Sequence, residues 1–159
     1  MKRFVEEKLP RGWLYELGVY VQTCAQIEFY ACRAICFLDD LAEGSEDWHN
    51  RLNCLRRMPT QRLITTLSNA AKRYMIGDPW AAYFKELAGH LHRFVENRHL
   101  AIHGRHIMVG QTVYLDAAEK GSRQDRIFDV SSELVREATE DADRILRALV
   151  RFCEEKSAL

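Results

Sequence analysis

The chain has 159 residues, 47% hydrophobic and 29% charged, with 23 Lys plus Arg against 23 Asp plus Glu. This length suits one domain with a real core, spanning residues 1–159, and the balanced charge excludes a bulk-basic nucleic-acid binder while allowing a local basic patch or a small active site. Five cysteines in no paired framework argue for a reduced, cytosolic compartment rather than a disulfide scaffold.

Residues 1–10 read as a charged lead-in ending at Pro10. Lys2 and Arg3 precede no apolar run, and Glu6, Glu7 and Lys8 arrive too soon for a signal peptide. No uncharged apolar stretch approaches a membrane span, so a cytoplasmic protein with no membrane partner is expected. A helical pattern follows over about Arg11 to Ala42. Leu14, Leu17, Val21, Cys24, Ala25, Glu28, Cys32, Ile35 and Cys36 form one row, and Ile27, Ala31, Ala34, Leu38 and Leu41 a second. Two rows predict a central bundle helix covered on much of its circumference. Glu28 falls inside the first row, where a carboxylate needs a partner. The cysteines among these apolar residues are expected to be core thiols.

Gly44-Ser45 ends that helix, and Ser45 or Asp47 can cap the next, over about Glu46 to Arg57. Pro59 breaks the chain and Thr60 can cap a helix running to about Met75. Asp78 then caps a helix beginning at Pro79. Its stripe contains Trp80, Tyr83, Phe84, Leu87, Leu91, Phe94, Val95 and Ile102, and Gly104 is its natural stop. Ile107, Val109, Val113 and Leu115, a turn at Glu119 to Ser122, and Ile127, Phe128 and Val130 predict a small hairpin or irregular strand pair across 106–130. Ser131 or Ser132 caps the last helix, about Glu133 to Lys156, with a stripe from Leu134 to Cys153. The fold class is therefore all-α: an up-and-down bundle of about four main helices with a small extended or β-hairpin insertion before the last.

The densest chemistry lies at residues 96–106, Glu-Asn-Arg-His-Leu-Ala-Ile-His-Gly-Arg-His. Leu91, Val95, Arg98 and Ile102 recur at i, i+4, i+7 and i+11, so Arg98 continues the apolar stripe. A guanidinium there must be paired or held for a purpose. His103 lies five residues on, about 140° around the helix, in its last turn. Arginine offers fork-shaped donors to a phosphate, and histidine exchanges protons near neutral pH. Such a pair suits phosphodiester cleavage. With RNA as substrate the 2′-hydroxyl is a built-in nucleophile, and no metal is required. A structural alternative competes: Arg98 bridges to Glu28 and locks the bundle, while His103 sits at a helix C-terminus that favours an imidazolium.

Arg98-His99-Leu100-Ala101-Ile102-His103-Gly104 resembles the signature of the HEPN superfamily, an arginine followed after four to six residues by histidine, often with a glycine next. The resemblance implies an all-α bundle with the motif near the end of a long core helix. It further implies a metal-independent endoribonuclease, often a toxin or antiphage defence factor, working as a homodimer whose two motifs share one cleft. An antitoxin or operon partner would accompany a toxin. Carried over residue by residue, catalysis falls to Arg98 and His103. His99 follows the arginine where the family often has a polar helper, with Asn97 on the other side. Members paired with minimal nucleotidyltransferases carry a tyrosine two residues after the histidine; here Arg105 stands there, so modification of such a tyrosine is not expected. Other members lack nuclease activity and act as binding or dimerisation modules.

Further candidates are weaker by spacing. His99 and His103 are i, i+4, which can chelate, but no HExxH occurs and no metal is expected. His90 and His92 read as solvated or interfacial. Glu28 either orients Arg98 or His103, or forms a bundle salt bridge. Arg51, Arg56, Arg57 and Arg62 either meet RNA phosphates or form a solvated basic face. No phosphate-binding glycine loop is present, so no nucleotide cofactor is expected. Two functions follow from different classes: a metal-independent ribonuclease, or an inactive helical module that binds a partner protein or nucleic acid.

Overall fold

A computed structural model describes residues 8–74, 77–118 and 125–158. Its elements are α1 (Arg11–Leu38), α2 (Glu46–Leu55), α3 (Thr60–Tyr74), α4 (Pro79–His103), β1 (Arg105–Val109), β2 (Thr112–Ala118), β3 (Asp125–Asp129) and α5 (Ser132–Ser157). This is the expected helical bundle with a small β insertion before the last helix. Residues 1–7, Met75 and the turn at 119–122 lie outside the described residues.

α1 is the hub. It packs most extensively on α5, then on α3, and meets α2 and α4 as well. Ile27, Ala31, Ala34, Ile35 and Cys36 have essentially no exposed surface, so its C-terminal half is enclosed. Its N-terminal half is covered on one side only, which leaves Tyr15 and Val19 in solvent. Ala25 is exposed as well, while Trp13 and Tyr20, outside both expected rows, are core residues. α1 stops four residues before the expected Ala42. Asp40 takes a left-handed conformation, φ +57°. The Leu41 N–H then reaches back to the Cys36 carbonyl and the Asp40 N–H to that of Phe37, both at 3.1 Å. This paired closure satisfies two orphan carbonyls and turns Leu41 onto the core.

Ser45 caps α2, accepting from the Trp48 N–H at 3.1 Å, and Trp48 packs on Phe37. Asp78 caps α4 through the Trp80 N–H at 2.8 Å, ahead of Pro79. Ser131 caps α5 through the Leu134 N–H. Phe152 of α5 is fully buried and meets Trp80 and Phe84 of α4 edge-on. Tyr83, Ile102 and Leu134, placed on apolar stripes by periodicity, are instead exposed. Cys24, Cys32, Cys36 and Cys153 are buried and Cys54 is exposed.

The insertion is a three-stranded antiparallel meander in the order β1-β2-β3. Gly110, with φ +62°, opens the two-residue turn between Val109 and Thr112. Val113 and Leu115 of β2 point into the protein. The Trp13 indole N–H donates to the Val130 carbonyl at 3.1 Å, tying the start of α1 to the chain that leaves the sheet. The sheet thus sits against the end of α4, beside the arginine and histidine cluster. Among the described residues, no helix is long and apolar enough to cross a membrane.

Candidate functional site

Arg98 lies on the core-facing side of α4 near its C-terminal end. Its Nε is 2.9 Å from Glu28 Oε1, and 23% of the side chain remains exposed against 29% for Glu28. The contact is close enough for an ion pair, but the Nε–H does not point along a hydrogen bond. The same Glu28 oxygen accepts the Thr60 hydroxyl at 2.5 Å. Glu28 is therefore tied from two elements: α3 supplies a charge-assisted hydrogen bond and α4 a charge. This corrects the role expected of Thr60. It is the first residue of α3, and its hydroxyl serves Glu28 instead of capping the helix. Nothing in the local sequence marks this, because a residue after Pro59 looks like a cap and the partner is 32 positions away.

Tyr20, Cys24 and Glu28 follow at i, i+4 and i+8 on α1, and the Arg98 charge acts on both Tyr20 and Cys24. Burial drives the Tyr20 phenol well above its usual range and pushes the Cys24 thiol up to about 12, so neither group ionises near neutral pH. The Tyr20 hydroxyl lies beside Cys24 without a hydrogen bond of normal geometry. It and Arg98 Nε are the buried side-chain polar atoms left without a hydrogen-bond partner among the described residues. Both fall in this one cluster.

His103 is in the last turn of α4 and exposed, with its ring centroid 5.0 Å from that of His99, one turn back and also exposed. No contact joins His103 to Arg98 or Glu28 among the described residues. Within one chain the two motif residues stay on different sides of the helix, as the angular offset requires. Ile102, 41% exposed, lies on the Arg98 side where the core has ended. Gly104 ends the helix in an extended conformation, φ −75°, not the left-handed one expected of a C-terminal glycine. Its missing side chain serves proximity: a Cβ there would lie 2.1 Å from Leu115 Cδ1 and 2.5 Å from the Leu100 carbonyl oxygen. The backbone beside His103 is thus covered by β2, not bare.

The other supporting residues disperse. Asn97 turns into a cleft toward Trp13, Leu17 and α5. Arg105 pairs with Asp116, its cross-strand neighbour on β2. His90 is near Asp141 and Arg93, and His92 near Glu96. Of the arginine cluster, Arg51 binds Asp39 and Arg56 stacks over Phe29, leaving Arg57 and Arg62 on the surface. No three His, Cys, Asp or Glu side chains converge as a metal site among the described residues.

Compared with known proteins, the chain matches no family model, no curated protein and no solved structure.

Proposed function

We propose that this protein is a metal-independent endoribonuclease of HEPN type that acts as a homodimer, in the manner of a cytoplasmic toxin or defence factor held by an antitoxin or operon partner. One observation carries the reading. Arg98 Nε lies 2.9 Å from a carboxylate that is itself anchored by Thr60, an ion-pair contact without an aligned hydrogen bond, while the guanidinium stays partly open to solvent. An arginine oriented this way keeps its Nη edge for two oxygens of a phosphate. The exposed His99 and His103 stand along the same helix end.

The chemistry is a transesterification. The 2′-oxygen of the substrate attacks phosphorus as its proton leaves to a neutral imidazole. The P–O5′ bond breaks, and an imidazolium returns a proton to the departing 5′-oxygen. Arg98 balances the extra negative charge on the pentavalent centre. One motif supplies one His103, whereas base and acid are two roles. A second copy of the motif across a dimer supplies the other, and also removes the need for one helix to aim Arg98 and His103 at the same phosphate.

The alternative is an inactive binding or dimerisation module. It is favoured by the fact that Arg98 already has an anionic partner inside its own chain. The test incubates purified protein with total RNA in EDTA, beside Arg98→Ala and His103→Ala. Because His103 is exposed, His103→Ala isolates chemistry from folding. Cleavage by the wild type that falls by about a hundredfold or more in His103→Ala supports the nuclease. Equal cleavage by all three proteins, or none by the wild type, sinks it and leaves the binding module.

A further inference from the structure

A second site lies on an adjacent face of α4, and Tyr20 of the Arg98 cluster reaches its lining. A cleft of about 450 Å³ opens between the start of α1, the end of α4, the sheet and the first turns of α5. That is within the rough range of 300 to 1,000 Å³ typical of small-molecule pockets. Leu17, Leu100, Leu115 and Val135 give it an apolar interior. The half-buried His106 ring forms one wall and is backed by the core residue Trp13, with ring centroids 4.7 Å apart and planes tilted by 56°. Burial lowers the His106 pKa, which keeps that wall uncharged near neutral pH.

The charged lining is lopsided. Asp129, Glu137 and Asp141 face one cation, Arg93. Arg93 is already drawn to Asp141, at 3.6 Å, and Arg144 reaches the same carboxylate at 3.5 Å. Asp129 and Glu137 have no ion-pair partner among the described residues. The Asn97 amide adds a donor and an acceptor at the edge. This surface repels phosphate, so it is no continuation of an RNA path. Arg98 and His103 do not line it. An apolar, aromatic-walled cleft with surplus carboxylates at its mouth fits a cation carrying a hydrophobic body.

We infer that this cleft binds a small organic cation of the aromatic amine class, with its ring against His106 and Leu100 and its ammonium toward Asp129 and Glu137. The site is independent of the nuclease reading and stands whether or not RNA is cleaved. Titration calorimetry with three probes sharing one ring tests it: tryptamine, indole and indole-3-acetate. Each is titrated into the wild type and into an Asp129→Asn/Glu137→Gln double variant, whose two side chains are exposed and whose thermal melt is compared with the wild type. With both carboxylates at the rim, tryptamine should bind roughly tenfold tighter than indole-3-acetate. The double variant should weaken tryptamine about fivefold or more and leave indole nearly unchanged. Absence of binding by all three probes, equal or tighter binding of the acetate, or an unchanged tryptamine affinity in the variant each overturns the proposal.

Discussion

Replacing Thr60 by Val keeps the shape of a side chain that is only 9% exposed and removes the one hydroxyl donated to Glu28. The lost bond runs from a neutral donor to a carboxylate at 2.5 Å, a class worth about 1.5–3 kcal/mol. Glu28 is 29% exposed, so water recovers part of this, and the expected loss is about 1–2 kcal/mol. Arg98→Met removes the other partner of the same oxygen. Two groups on one oxygen cannot be independent, so a double-mutant cycle should give a coupling of at least about 0.5 kcal/mol. Urea unfolding of the wild type, both single variants and the double variant measures it, provided the m-values agree. Strict additivity, or a Thr60→Val variant as stable as the wild type, would refute the linked Thr60–Glu28–Arg98 arrangement. In the RNA assay, Thr60→Val should also lower cleavage while leaving His103 untouched, since it loosens only the carboxylate that orients Arg98.

Two further outcomes test the junction of helix and sheet. Gly104→Ala places a methyl against a Leu115 side chain and the rigid Leu100 carbonyl, and should cost about 1–3 kcal/mol. For a chain of this size that lowers Tm by roughly 2–4 °C per kcal/mol, and an unchanged melt would show that β2 does not press on the helix end. His106 is the second. Its folded pKa lies below the ordinary histidine value of 6.5 because burial disfavours the imidazolium. Below pH 6.5 the unfolded chain therefore binds a proton that the folded chain lacks. Its contribution is complete above that pH and is lost as pH falls toward the folded pKa. His106→Gln should flatten the acid-side decline in denaturant stability between pH 5 and 7, and an identical pH profile would contradict the assignment.

Much of the architecture was legible from local signals. Ser45, Asp78 and Ser131 cap the helices they were expected to cap, because capping depends on a residue and the two or three after it. Periodicity found the core stretches of α4 and α5. It failed at the ends, where a stripe continues in sequence after the neighbouring helix has stopped. Ile102 and Leu134 are apolar and in phase, yet both remain exposed. The insertion, expected as a small hairpin or irregular strand pair across 106–130, is present, and pairing of a third strand makes it a three-stranded meander.

The sequence alone determined that a long helix carries Arg98 and His103 at a fixed angular offset, and that a lone carboxylate at Glu28 sits among apolar neighbours. Helix geometry is local, so these follow from spacing. The Arg98–Glu28 pairing was one of the two roles expected for Glu28 and is present, whereas its second partner, Thr60, depended on how three helices meet. Arg98 lies 70 positions away by residue number, and Thr60 lies on a helix whose start looked self-capped. The glycine after His103 was visible as a stop, but its reason, the approach of Leu115, exists only once the sheet folds back on the helix. Pairwise proximity across the chain carries no local signature, and the chemistry of this site is made of such pairs.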